Sequence, residues 1–312
     1  MKNIPLSLKI ISFYRFVSIS SKVKIKVKFD HYLKNKMIKG TVLLSEEGVN
    51  GFLSGNEEDV LDALKFLKKI IRIRRISLKI NDVDFIPFNR MKVRLKKEIV
   101  TMGFKTFNIN KSSGCYVEPK DWNDFVKKKN IKIIDVRNRY EINIGKFPKA
   151  INPLTNSFRD FPKRFEQMNL NKNDTIAMYC TGGIRCEKAS SFLLSSGYKN
   201  VFQLKGGILS YFEHYKNNIN KNNWNGDCFV FDSRVAVNKR LQAGKYMQCH
   251  GCRHPITEND IRSKKYIKGV SCPNCFNLRT KEQKRNSYKR QKQINIAEKK
   301  GIDHPFKRIK LL

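Results

Sequence analysis

Apolar positions in this chain come as short unbroken runs and as stripes at helical spacing, and the two alternate. Ile10 to Val17, Thr41 to Leu44, Ile76 to Ile80 and Met91 to Leu95 read as strands. Asn56-Glu57-Glu58-Asp59 is an acidic helix start, and Val60, Leu61, Leu64 and Leu67 form the apolar stripe behind it. Ser45 to Gly51 reads as a turn, its Asn50-Gly51 pair signalling a hairpin into Phe52-Leu53. Residues 1–100 thus fit a β-α-β-β-α-β unit, a ferredoxin-like α+β sandwich. One piece resists: Val23, Ile25, Val27 and Phe29 alternate with lysines, which by itself is a strand pattern.

Residues 101–114 carry Gly103 and Lys111-Ser112-Ser113-Gly114 with little apolar pattern, so a linker is expected. From 115 to 220 strands alternate with helices. Pro119 stands at a first helical position, with Trp122 and Phe125 behind it. Ile131 to Val136 is a buried strand, Ala150 to Pro153 a short one, and Thr175 to Tyr179 another. A strand from Val201 to Leu204 leads to Gly206-Gly207-Ile208, which opens a last helix. Such alternation predicts a parallel α/β sheet with its site at the C-terminal ends of the strands. Residues 221–285 form a cysteine-rich segment. Residues 286–312 are a basic tail, either disordered or helical on RNA.

Composition sharpens this picture. The chain has 312 residues, 64 Lys and Arg against 27 Asp and Glu, a formal net charge of +37. So basic a chain attracts polyanions, and nucleic acid is the obvious partner. Abundant Lys, Asn and Ile throughout also fit a solvated coat. No apolar run reaches membrane-spanning length, and Met1 to Pro5 lacks an export signal, so a cytoplasmic protein is expected.

Eight cysteines in that setting point to metal or catalysis before disulfides. Cys249-His250-Gly251-Cys252 and Cys272-Pro273-Asn274-Cys275 form two C-x2-C pairs, whose spacing suits one tetrahedral structural zinc, with His250 or His254 as a possible substitute ligand. Cys115 and Cys228 have no motif and read as packing residues. Cys180 stands at the end of a strand, before a loop of Thr181, Gly182, Gly183 and Ile184 whose glycines permit a tight turn, and Glu187 to Leu194 has the pattern of a helix start. There backbone N–H groups and the helix dipole would hold a thiolate or another anion. The alternative is a buried apolar cysteine, against which the Gly-Gly pair and Arg185 count.

Cys180, Gly183 and Arg185 resemble the active-site loop of rhodanese domains. The longer string through Cys186-Glu187-Lys188-Ala189 resembles the rhodanese-containing tRNA uridine hydroxylase family. Ser45 to Gly51, Pro87 to Val93, Asp135-Val136-Arg137 with Glu141, Gly145 to Pro153, and Trp224 to Asp232 resemble the same family, so the likeness spans roughly residues 1 to 285. It implies a helix, not a strand, between Ile10–Val17 and Thr41–Leu44, and the reading here follows it. It further implies oxygen-dependent hydroxylation of the wobble uridine at position 34, with tRNA as partner at its anticodon, molecular oxygen as co-substrate and Cys180 as catalytic cysteine.

Two mechanisms fit a cysteine nucleophile in an anion-binding loop. Cys180 carries sulfur as a persulfide, as in a sulfurtransferase, or its thiolate adds to C6 of uracil, makes C5 electron-rich toward an oxidant, and is then eliminated. A third reading is an inactive RNA-binding module. Arg185 is expected to pair with Asp135 and fix the loop, and Cys186 either resolves an oxidised Cys180 or merely packs. Arg90, Lys92 and Arg94 alternate on one strand and are candidate phosphate contacts, or an ordinary exposed face. No two-histidine, one-carboxylate set and no Gly-rich dinucleotide fingerprint is present, so non-haem iron, flavin and nicotinamide are not expected.

Overall fold

A computed structural model describes residues 7–103 and 113–302. Both ends of the chain and most of the expected linker therefore lie outside the described residues. The N-terminal unit runs β1 (Leu8–Phe16), α1 (Lys22–Leu33), β2 (Lys39–Ser45), β3 (Gly48–Asn56), α2 (Glu57–Ile71), β4 (Ser77–Asp82) and β5 (Met91–Leu95). Its sheet has the order β4-β1-β3-β2-β5, with β5 added parallel to β2 beyond the ferredoxin-like four. Ile11, Phe13, Val42, Leu44, Val49 and Leu53 point to one face and pack under α1 and α2. Side chains alternate along a strand, so Ser12, Tyr14, Thr41, Leu43, Asn50, Phe52, Ser77 and Lys79 are left on the opposite face.

Two local expectations resolve here. The Val23–Phe29 stretch is helical: Ile25, Phe29 and Leu33, four apart, are buried, while Val23 and Val27 are exposed. Every second apolar residue of an alternating run also recurs at i, i+4, so tertiary burial decides between the two periods. The β2–β3 hairpin turns at Glu46-Glu47 rather than at Asn50-Gly51, because Ser45 already pairs with Gly48. Gly51 lies inside β3, where a Cβ would come within 2.8 Å of the Phe13 ring.

The second unit follows as β6 (Cys115–Val117), α3 (Pro119–Lys127), β7 (Ile131–Asp135), α4 (Arg139–Ile142), β8 (Gly145–Lys146), α5 (Phe161–Glu166), β9 (Thr175–Tyr179), α6 (Ile184–Ser195), β10 (Asn200–Leu204) and α7 (Gly207–Tyr215). The sheet is parallel, in the order β6-β10-β9-β7. The expected strand at Ala150–Pro153 reduces to a single bridge, Ile134 to Ile151. Phe161, Phe165, Phe192 and Leu193 cover one face; Trp122, Phe147, Tyr211 and Trp224 cover the other.

The remainder wraps back over this unit through β11 (Asn225–Gly226), paired with β8, then β12 (Cys228–Phe229) and β13 (Ala236–Val237). A cysteine-rich knuckle holds β14 (Met247–Gln248), β15 (Pro255–Ile256) and α8 (Glu258–Arg262), and α9 (Lys281–Lys299) follows. Of the two states open to the basic end, its described part is helical through Lys299. Thr280 and Gln283 form its capping box, and Arg290 donates to the carbonyl of Gly269 at 2.8 Å, tying the helix to the knuckle.

Candidate active site

β9 is fully buried apart from its first residue and delivers Cys180 to the C-terminal edge of the parallel sheet. The chain reverses through Thr181-Gly182-Gly183, and Gly183, at φ +100°, is the residue before α6. A side chain there would be strained and would put its Cβ 2.9 Å from the Tyr14 hydroxyl. In return the Gly183 N–H donates to the Cys180 sulfur at 3.1 Å. The backbone carbonyl of Cys180 accepts from Ile208 N–H at 3.0 Å, so the second glycine turn, Gly206-Gly207, braces the first.

Burial alone would raise the Cys180 thiol, but the Cys186 S–H, the Arg185 charge and the amides of Cys186 and Arg185 outweigh it and lower its pKa to about 5. Cys180 is therefore a thiolate at neutral pH. Cys186, fully buried one turn along α6, is pushed the other way by burial and by its bond to Cys180, and stays a thiol. The two cysteines divide the roles of acceptor and donor.

Arg185 does not pair with Asp135. Its guanidinium donates to both oxygens of Glu141, at 2.6 and 2.8 Å, and to the Thr181 hydroxyl at 3.2 Å. Glu141 is fully buried and also accepts from Asn138 N–H at 3.1 Å, closing the capping box of α4. Asp135 is held instead by Arg137 through bonds of 2.7 to 3.0 Å, and Arg137 reaches on to the carbonyls of Glu141 and Gly145. The nearer arginine wins because Arg137 shares the turn that follows β7, while Glu141 points at the Cys180 loop. Asp135 thus shapes the neighbouring loop that presents Glu141.

Cys180 itself is fully buried, at the base of a partly open cleft. The bare face of the N-terminal sheet lies over it, leaving a cavity of about 460 Å³. Cys180, Thr181, Gly182, Ile184 and Arg185 form its floor; Phe52, Phe88, Phe158 and Phe231 give aromatic walls; Ser12, Asn50, Ser77, Lys79 and Asn138 are polar points in them. The two units are pinned beside it by Lys188 of α6, which pairs with Glu47 at 2.7 Å and Glu98 at 2.5 Å. Glu187, next along α6, accepts from Tyr14 at 3.1 Å and Tyr116 at 2.8 Å, and burial raises its carboxyl pKa. Tyr14 and Lys79 carry no motif, and only the facing of one unit on another brings them here.

Arg90 lies just before β5, and Lys92 and Arg94 lie within it. Lys92 pairs with Thr41 and Arg94 with Leu43, which places them on the cavity-facing side of the sheet, at its edge. Burial lowers the Lys92 ammonium pKa, and the charges of Arg90, Arg94 and, from the knuckle, Arg253 add to it. The sulfurs of Cys249, Cys252, Cys272 and Cys275 all lie within 4.8 Å of one another, with separations of 3.8 and 3.9 Å. Four thiolates about 2.3 Å from a tetrahedral zinc stand about 3.8 Å apart, so the set fits such an ion. His250 and His254 are outside the cluster, and His254 stacks on Tyr140 at 4.5 Å. Cys228 is buried packing, its thiol pushed up to about 12 by burial, whereas Cys115 is exposed on β6 rather than packed.

Comparison with known proteins agrees with this layout. Residues 8–99 match the family described as UPF0176 acylphosphatase like domain, and residues 118–214 match the rhodanese-like domain. A protein of Pelagibacter ubique named tRNA uridine(34) hydroxylase is 43% identical over 300 residues, 96% of this chain and 98% of its own length. Among solved structures, a rhodanese-like domain from Anabaena sp. is 22% identical and covers 36% of this chain and 78% of its own, with TM-score 0.30. A rhodanese-related protein of Thermoplasma volcanium is 24% identical over 32% of this chain and 92% of its own, with TM-score 0.28.

Proposed function

The chain belongs to the tRNA uridine(34) hydroxylase family, and from that premise we propose that it hydroxylates the wobble uridine of tRNA at C5. The reading is of an oxidoreductase that works on the anticodon in the cytoplasm with molecular oxygen as co-substrate. The observation that carries it is the Cys180 thiolate at the base of an aromatic-walled cavity. Uracil is electron-poor at C6. A thiolate there forms the S–C6 bond while the C5–C6 π pair moves toward C5 and the C4 oxygen. C5 then attacks an oxygen donor at the peroxide level, which molecular oxygen becomes on two-electron reduction by an external donor. The O–O bond breaks, one oxygen stays on C5 as hydroxyl and the other leaves as water, and loss of the C5 proton and of the thiolate restores the ring. Arg185 stays charged throughout, and its part is to hold the loop and favour the thiolate.

Arg90, Lys92 and Arg94, with Arg253 beside them, flank the cavity and suit the phosphates of an anticodon loop. Zinc at Cys249, Cys252, Cys272 and Cys275 would hold the knuckle that carries Arg253. No helix among the described residues is long and apolar enough to cross a membrane.

Nucleoside mass spectrometry of bulk tRNA tests the reading. Cells lacking the gene should lose 5-hydroxyuridine derivatives, and the wild type should restore them where Cys180→Ala does not. Loss of a thiolated nucleoside, with 5-hydroxyuridine unchanged, would move the assignment to persulfide sulfur transfer. No change in either would leave an RNA-binding module, or a substrate other than tRNA.

A further inference from the structure

Lys79 sits on β4, on the bare face of the N-terminal sheet, and reaches across to the rhodanese-like unit. Its ammonium donates to the Gly206 carbonyl and to the Ser210 hydroxyl, the latter at 2.6 Å. These two acceptors leave one of its three N–H groups for the cavity it lines together with Cys180. Among the described residues it forms no ion pair, although a lysine so enclosed normally has one. A cation held in place with no carboxylate partner and with one N–H unused, in the same cavity as a thiolate nucleophile, is arranged for a ligand oxygen.

We propose that the cavity is a binding site for a single pyrimidine base turned out of the RNA stack, and that Lys79 donates to a carbonyl oxygen of that base. This rests on the hydroxylase reading and adds the substrate's pose to it. The cavity has room for a base and its ribose, and Phe52, Phe88 and Phe231 give it an aromatic lining suited to a flat ring. Adenine and guanine lack an activated C6 next to a carbonyl-flanked C5, so a uracil carbonyl is the acceptor that fits the chemistry at Cys180. When the S–C6 bond forms, the displaced π pair gathers on the C4 oxygen. The Lys79 N–H then meets an enolate rather than a neutral carbonyl, and the hydrogen bond strengthens as the adduct forms. No electron leaves the pair of reactants in this step, and the oxidant enters only afterwards.

Burial sets the titration of this group near neutrality. It lowers the Lys79 ammonium to about 7, against the upward pull of Cys180, Cys228 and Glu213. Tyr14 and Arg185 share the cavity with it, and Arg15, Arg75, Glu187 and Lys205 line the cleft on its other side. The donor is therefore lost as pH rises through about 7.

The test is turnover by purified full-length wild type, Lys79→Met and Lys79→Arg on tRNA isolated from cells lacking the gene, with tRNA affinity measured in parallel. Lys79→Met should lose about 100- to 1,000-fold in kcat while tRNA affinity stays within about threefold. Wild-type kcat should fall along a basic limb above about pH 7, and Lys79→Met should lose that limb. Lys79→Arg, charged at every pH tested, should regain part of the rate and keep it at high pH. Wild-type kcat in Lys79→Met, or an unchanged basic limb in either variant, overturns the assignment. A Lys79→Met protein that loses tRNA affinity or its cooperative melt is judged on Lys79→Arg, whose unchanged basic limb has the same force. A wild type that forms no 5-hydroxyuridine defeats the function, not merely the role of Lys79.

Discussion

Replacing Cys186 with Ala should raise the pKa of a different residue, Cys180. The Cys186 S–H is the foremost of the influences that hold the Cys180 thiolate against burial, with Arg185 and two backbone amides behind it. A hydrogen bond to a charged group contributes about 1.5–3 kcal/mol, and each pKa unit corresponds to about 1.4 kcal/mol. Losing the donor should therefore lift Cys180 by about one to two units, from about 5 to between about 6 and 7. Thiolate absorbance, read as the difference between Cys186→Ala and the Cys180→Ser, Cys186→Ala double variant, isolates Cys180 from the remaining cysteines. At about pH 5.5 alkylation of Cys180 by iodoacetamide, located by peptide mapping, should fall roughly tenfold. Cys186→Ser, which keeps a donor, should lie between. A midpoint still at about 5 in Cys186→Ala would show that the amides and Arg185 suffice and that Cys186 merely packs.

Other consequences follow from the same geometry. Glu141→Gln strips the counter-charge from a buried arginine and should cost about 3–5 kcal/mol in urea unfolding, whereas Asp124→Asn, at the exposed pair with Lys127, should cost under about 1 kcal/mol. Because Cys180 titrates below an ordinary thiol, its contribution to stability is complete above the ordinary range and disappears as pH falls to about 5. The Tm advantage of wild type over Cys180→Ser should accordingly shrink from about pH 9 to about pH 5, and a constant difference would contradict a folded-state thiolate. Purified protein should carry one zinc per chain. Its removal by a strong chelator should abolish hydrogen-exchange protection in β14, β15 and α9 while α6 keeps its own, with metal analysis alongside.

The parts legible in the sequence are those whose cause is local. A buried run, a cysteine, two glycines and a helix start lie within a dozen residues, so the chain order itself places Cys180 at an anion-holding turn. The two C-x2-C pairs likewise announce a four-sulfur cluster, since short spacing fixes the sulfurs near one another. Tertiary structure decided the rest. Arg185 could have met any of several acids, and its partner, 44 positions away, is set by the turn after β7 rather than by any spacing. Alternation along β1 and β4 says that Tyr14 and Lys79 share a face, yet not whether that face meets water or another unit. The same ambiguity hid the helix at Val23–Phe29, where the choice between two periods lay with the core it packs against. A strand pattern specifies sides, and only the packing of one unit on the other turns a side into the wall of a site.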